Sequence, residues 1–196
     1  MSHRLLRDAR VHGVLFRIDV ELAAAVRSER CECGGALHSA RYPRKPRCGV
    51  DLKQLDPRYA VRFSFCCAQD GCRRRRTPPS VRFLGRRVYV SAVVVLIAAL
   101  AEGATPRRLH RLRQLVGDVS RRTVERWRRW WRESFPQTAF WREHRGRFAP
   151  GIATERLPTS LLEQMPGTDV RARLIALLRI LTPITTTNAD PPAHAS

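Results

Sequence analysis

Cys66-Cys67-Ala68-Gln69-Asp70-Gly71-Cys72, followed without a break by Arg73-Arg74-Arg75-Arg76, is the stretch whose reading decides the fold. A shorter cysteine cluster precedes it, Cys31-Glu32-Cys33-Gly34-Gly35. Thiolates bind zinc tetrahedrally, so four sulfurs must converge on one point. Two tight turns on neighbouring hairpins achieve this with two cysteines each. Gly34 and Gly35 permit the first turn, and Asp70-Gly71 makes the second. Adjacent residues on a strand face opposite sides, so Cys66 and Cys67 are not expected to ligate together. Cys67 forms a C-x4-C pair with Cys72, within common ligand spacing, whereas Cys66 forms C-x5-C and falls just outside it. The expected ligands are Cys31, Cys33, Cys67 and Cys72, with His38 in reserve and Cys48 a free thiol. An all-cysteine site leaves no open position for water, and no His-x-Glu motif accompanies it. The zinc is therefore expected to be structural, and the chain not an enzyme.

Working outward, residues 31–85 read as a small β-rich, zinc-ribbon-like unit. Residues 36–41 suit a short strand, and Tyr42-Pro43-Arg44-Lys45-Pro46-Arg47 an extended segment. Residues 59–65 alternate, with Tyr59, Val61, Phe63 and Phe65 on one face and Ala60, Arg62 and Ser64 on the other. That is the pattern of a half-buried strand. Thr77-Pro78-Pro79-Ser80 interrupts the chain, and 81–84 suit an edge strand pairing back. Before this unit, 14–20 read as a strand and 21–30 as a short helix leading to Cys31.

After it, residues 86–135 read as three helices. The first covers 86–101 and is nearly all apolar. The second starts at Thr105 as cap with Pro106 in the first turn and stops at Gly117. Leu109, Leu112, Leu115 and Val116 recur on one face and leave the arginines outside. The third follows the turn Gly117-Asp118-Val119-Ser120, with Ser120 as its cap, and runs to about residue 134. Val124, Trp127 and Trp131 share its inner face. Helix, glycine-containing turn and capped second helix form the layout of a helix-turn-helix. In that layout Arg121, Arg122 and Thr123 reach base edges, since arginine pairs bidentately with guanine and threonine touches a thymine methyl. Arg107, Arg108, Arg126, Arg128 and Arg129, with Arg73, Arg74 and Arg75 beside the second cysteine turn, are expected to meet phosphate.

Charge supports this assignment. The chain carries 37 Lys+Arg against 17 Asp+Glu, a net charge of +20, which calls for a polyanionic partner. Only Lys45 and Lys53 are lysine; base composition can favour Arg over Lys but does not create the excess over acids. From 105 to 148 there are 13 Arg and four acids, and from 71 to 91 seven Arg and no acid, so the charge sits on the two motifs. No secretory signal is visible, and the longest apolar run, 88–100, is shorter than the roughly 20 residues a bilayer requires. A reducing compartment, metal binding in preference to disulfides, and a cytoplasmic, nucleoid-associated location are the expectations.

A zinc ribbon followed by Ser120-Arg121-Arg122-Thr123-Val124-Glu125-Arg126-Trp127-Arg128-Arg129-Trp130-Trp131 resembles the DNA-binding part of insertion-sequence transposases and their accessory proteins. The resemblance covers Cys31 to Phe135, just over half of the chain. It implies that ribbon and helices recognise element DNA, with Cys31, Cys33, Cys67 and Cys72 as ligands and Arg121, Arg122 and Thr123 as base readers. In such families a separate acidic-triad domain cuts the DNA. The 48 residues after Phe148 are too few for such a domain, which points to a non-catalytic accessory or remnant.

The expected fold class is α+β. It comprises an N-terminal segment (1–30), the zinc-ribbon-like unit (31–85) and a three-helix DNA-binding unit with a basic aromatic extension (86–150). C-terminal helices (151–181, at 157–163 and 169–181) and a disordered tail (182–196) complete it. Leu174, Ile175, Leu177, Leu178 and Leu181 are read as covering the core, with a dimer seam as the alternative. Double-stranded DNA is the expected partner, together with a transposase or a second copy of the chain; no membrane and no small-molecule substrate are expected. Three other readings stand beside this one: a transcriptional regulator of the same architecture, an RNA-binding zinc-ribbon protein, and a degenerate nuclease or transposase.

Overall fold

The protein is described by a computed structural model covering residues 2–44, 49–83, 105–148 and 151–186. Its architecture is mixed, with helices and small antiparallel sheets. The expected helix over 86–101, the expected free thiol Cys48, and the tail beyond residue 186 lie outside the described residues.

One long helix, α1 (Ala9–Ser28), occupies the region expected to hold a strand and a short helix. The β-branched residues of 14–20 favour strands, but Val11, Leu15 and Ile18 are spaced for one helical face. Burying that face outweighs their modest helix propensity. The Asp8 side chain caps the first turn by accepting the Arg10 amide at 2.9 Å. The helix is shared: Val11, Leu15 and Ile18 belong to a large helical core, whereas Phe16 and Ala23 belong to a smaller cluster around the cysteines.

The cysteine unit is built from very short strands: β1 (Leu37–Ser39), β2 (Tyr42–Pro43), β3 (Val61–Arg62), β4 (Phe65–Cys67) and β5 (Arg75–Arg76). One antiparallel sheet has the order β1-β4-β5, the other pairs β2 with β3. The single strand expected over 59–65 is instead three elements. Asp56 caps a 3-10 turn at Pro57–Ala60, after which β3 and β4 join different sheets. Arg62 and Ser64 are buried and do not face solvent. Arg62 donates to the Pro78 carbonyl at 2.8 Å and Ser64 to the Arg76 carbonyl at 3.4 Å, so both polar groups are satisfied inside. Val81, Arg82 and Phe83, from the expected edge strand, are buried.

The second half follows its caps. Thr105 and Pro106 open α2 (Pro106–Val116), and Gly117 ends it at φ +79°, a conformation that favours glycine. Ser120 opens α3 (Arg121–Arg129). The chain stays helical through a wider π turn, Trp130–Ser134, so the third expected helix changes pitch where its tryptophans enter the core. A 3-10 turn (Phe135–Gln137) and α4 (Ala139–His144) then pack Trp131, Phe135 and Trp141 together, with Phe135 4.7 Å from Trp131 and 5.2 Å from Trp141 between ring centres. Two further helices, α5 (Thr159–Glu163) and α6 (Val170–Ile180), close the core through Leu161, Leu174, Leu177 and Leu178. The start of the expected disordered tail is ordered. Thr182–Thr185 form a 3-10 turn with Thr182, Ile184 and Thr185 buried, because Thr185 Oγ1 accepts the Ser80 amide at 3.0 Å.

A buried polar knot joins the two clusters. Asp19 Oδ1 accepts the Val81 amide at 2.7 Å, and its Oδ2 accepts Arg82 Nε at 2.8 Å and the Ser80 hydroxyl. Arg82 donates onward to the Tyr59 and Val61 carbonyls, and its guanidinium lies 4.8–5.4 Å from the rings of Phe16, Tyr59, Phe63 and Phe83. Both charges are essentially inaccessible, 0% for Arg82 and 1% for Asp19, so each depends on the other. Nearby, buried His12 contacts the Leu6 carbonyl through Nε2 and the Tyr59 hydroxyl through Nδ1. A carbonyl only accepts, so Nε2 of His12 carries a proton toward Leu6.

Candidate metal centre and basic surface

The first cysteine turn is closed by Cys31 donating to the Gly35 carbonyl at 2.9 Å and Gly34 donating back to Cys31 at 2.8 Å. Gly34 sits at φ +82°, which its lack of a Cβ allows. In the second turn Cys72 donates to the Gln69 carbonyl at 3.2 Å, with Gly71 at φ +82°. Strand pairing sets the two turns against each other: Leu37 lies opposite Cys67, and the Ala68 amide bonds the Ala36 carbonyl at 2.9 Å. Gly35 is needed for a second reason. A Cβ there would lie 2.7 Å from Cys67 Sγ and 3.4 Å from Cys33 Sγ.

These constraints bring the thiols of Cys31, Cys33, Cys67 and Cys72 within 4.8 Å of one another, a group that could hold a metal ion. Across the turns, Cys31 and Cys72 are 3.7 Å apart and Cys33 and Cys67 3.4 Å apart. A tetrahedron of sulfurs at the usual 2.3 Å zinc–sulfur bond has edges of about 3.8 Å, so the donor set fits such an ion. The electrostatics are uneven. The Gly35 amide and then the Cys67 and Cys72 thiols lower Cys33 to about 7. At Cys67 the Gln69 amide pulls downward, but burial and the neighbouring thiols outweigh it and push the group up to about 12. At Cys72 the Arg74 amide also lowers the thiol, and the Cys33 sulfur and burial outweigh it, for a net upward shift. Cys33 is the thiol the environment prefers to ionise, so negative charge first develops at the most exposed corner of the cluster.

Cys66 stays outside, on the opposite face of β4, where its thiol donates to the Arg73 carbonyl at 3.4 Å. His38 pairs in register with Cys66 and not with Cys67, is exposed, and does not join the group, so it is no reserve ligand in this arrangement. Comparison with protein-family models, with curated proteins and with solved structures gave no match. The site therefore stands on its own geometry.

The ten arginines and one threonine proposed from sequence for nucleic-acid contact do not form one group. Beside the second turn, Arg73 is paired with Asp70 at 3.1 Å and Arg74 with Glu32 at 2.6 Å, while neighbouring Arg76 is paired with Glu29 at 2.7 Å. The last two are surface pairs that run from the segment after the second cysteine turn to the first turn and to the end of α1; sequence reasoning missed them because Glu29 and Glu32 lie more than 40 residues upstream. Arg75 is exposed. On the helices, Arg107, Arg122, Arg126 and Arg129 are exposed, Arg108 and Arg128 half-buried. Arg121 is exposed but lies along α3 against Glu125 at 2.7 Å. Thr123 is half-buried, with Oγ1 2.9 Å from the Ser120 hydroxyl. Among the described residues, no helix is long and apolar enough to cross a membrane.

Proposed function

We propose that this chain is a non-catalytic DNA-binding protein whose cysteine turns hold one structural zinc and whose helices α2 and α3 act as a helix-turn-helix on duplex DNA. The observation that carries the reading is the division of α3. Val124 and Trp127 are buried, while Arg122, Arg126 and Arg129 are exposed along its outer side. A short helix so anchored can present a rigid row of guanidinium groups to phosphate, and its capped N-terminus to base edges. Cys31, Cys33, Cys67 and Cys72 would supply four thiolates, and a zinc bound there has no vacant position for chemistry. Zinc would cross-link strands too short to stand alone. The resemblance of Cys31 to Phe135 to insertion-sequence proteins makes a mobile-element end the favoured class of target.

The test joins zinc content with selection of a preferred duplex from random sequence. One zinc per chain and a reproducible site are expected. Arg121→Ala should then relax one base position by about 1–3 kcal/mol. If all sequences weaken equally, Arg121 contacts phosphate; if no duplex outcompetes single-stranded RNA, the DNA reading fails and the RNA-binding alternative replaces it.

A further inference from the structure

The four clustered thiols are not equally accessible. Cys33 is exposed, Cys72 half-buried, and Cys31 and Cys67 buried. Gly34, the neighbour of Cys33, also borders open space, where an added Cβ would meet nothing within 4 Å. Directly behind Cys33 is Cys67, 3.4 Å away and 1% accessible, with Gly35 leaving just enough room for both sulfurs. Cys66, although next in sequence, points to the other face of the sheet and bonds a carbonyl there. An oxidant arriving from solvent therefore meets one ligand sulfur first, and Cys67, 3.4 Å from it, faces it from the opposite turn, with Cys72 within 4.8 Å.

We propose that Cys33 is a site of oxidative modification by hydroperoxides, resolved by Cys67 into a disulfide that dismantles the metal site. The inference rests on the zinc reading for its consequence but not for its chemistry. The Cys33 sulfur attacks one peroxide oxygen and the O–O bond breaks. Hydroxide leaves with that electron pair and takes a proton to become water, leaving a sulfenic acid on Cys33. The Cys67 sulfur then attacks the Cys33 sulfur. An S–S bond forms, the S–O bond breaks, and the second hydroxide is protonated to water. Two thiols lose two electrons together and one hydrogen peroxide is reduced to two waters; the two protons come from the thiols, or from solvent where the sulfurs are already thiolates. A disulfide brings its sulfurs to about 2.05 Å, so the 3.4 Å gap needs only a small closure. Cys31 and Cys72 then remain as two ligands, too few for a tetrahedral site.

The experiment uses the full chain, with zinc counted beforehand, treated with a small excess of hydrogen peroxide. Release is followed with a chromogenic chelator and the cysteines are mapped by peptide mass. Expected are release of one zinc equivalent, a Cys33–Cys67 cross-linked peptide lighter by two hydrogens, and recovery of zinc binding after dithiothreitol. Cys66→Ser should leave all three unchanged. Retained zinc under peroxide, a first cross-link joining Cys31 to Cys72, or one that includes Cys66 would overturn the proposal. A chain purified without zinc sinks the metal reading separately, and mapping of that metal-free chain still decides whether Cys33 and Cys67 pair first.

Discussion

Around the thiols, burial among the described residues is confined to a few residues such as Leu37, Tyr59, Phe63 and Phe65 beside Cys31 and Cys67, on two- and three-residue strands and the turns between them, with Phe16 and Ala23 from α1. The helical core, by contrast, buries Trp127, Trp131, Phe135 and Trp141 together with a run of leucines from α2, α5 and α6. Two- and three-residue strands do not hold by themselves, whereas capped helices closing on stacked aromatic rings do. On the proposed zinc reading, one region depends on a cross-link at its centre, whereas the other depends on apolar burial. All four tryptophans lie in or against the helical core, so their emission reports on it, while Tyr59 is the tyrosine buried in the cysteine cluster.

The largest effect should come from removing the cross-link. Structural zinc in finger peptides binds with about 10–16 kcal/mol at neutral pH, so Cys31→Ser or strong chelation should abolish zinc binding and disorder the sheet of β1, β4 and β5. Tryptophan emission should stay that of a buried ring, and hydrogen exchange should rise only in residues 31–76. A simultaneous red shift of tryptophan would break the contrast and make the two regions one cooperative unit.

Next in size is the knot between them. Asp19→Asn leaves the Arg82 guanidinium buried without its counter-charge, at an expected cost of about 3–5 kcal/mol. Unlike the cysteine change, this one should lower the urea midpoint by tyrosine and tryptophan signals alike, since α1 serves both clusters. A loss confined to the tyrosine signal would assign the pair to the cysteine unit alone.

What was legible in the sequence follows the same division between local and distant causes. Thr105-Pro106, Gly117 and Ser120 announce the limits of α2 and the start of α3 because a cap is satisfied within four residues. The convergence of Cys31, Cys33, Cys67 and Cys72, and the choice of Cys67 over Cys66, was legible because strand alternation and glycine turns are also local. The long α1 was not. Residues 14–20, Asp19 among them, read as a strand, and the reason a carboxylate can be buried on the helix, Arg82, lies 63 residues on. The Asp8 cap was the available signal. The order at Thr182–Thr185 was likewise hidden, since a Thr- and Pro-rich composition gives no hint that Thr185 will satisfy the amide of Ser80. Glu29 and Glu32 are ordinary surface acids until the fold brings Arg76 and Arg74 to them.

A finer test of the cross-linked region is Gly35→Ala. The added methyl would meet Cys67 Sγ at 2.7 Å, so the two turns must move apart or the sulfur must swing out. Overpacking of this kind costs about 1–3 kcal/mol and should appear as weaker zinc retention in competition with a chelator, while the urea midpoint by tryptophan stays unchanged. Unaltered retention would mean that the turns have slack, and that the tight approach of sulfur to Gly35 is not what sets the site.

The smallest effect separates the two helices of the basic surface. The Ser120 hydroxyl accepts the Thr123 amide at 3.1 Å and also contacts the Thr123 hydroxyl at 2.9 Å, whereas Thr105 accepts the Arg108 amide at 3.4 Å. Loss of a serine or threonine cap costs about 1 kcal/mol on average, so Ser120→Ala should lower the melting temperature more than Thr105→Ala. The larger consequence of Ser120→Ala lies in what the cap positions. Fraying the first turn of α3 loosens Arg121, Arg122 and Thr123 together, while Val124 and Trp127 keep the rest of the helix seated. Affinity for a selected duplex should therefore fall further than for random duplex, even though no arginine has been removed. Equal losses on both would place base recognition elsewhere on the molecule and leave α3 as a phosphate-binding surface.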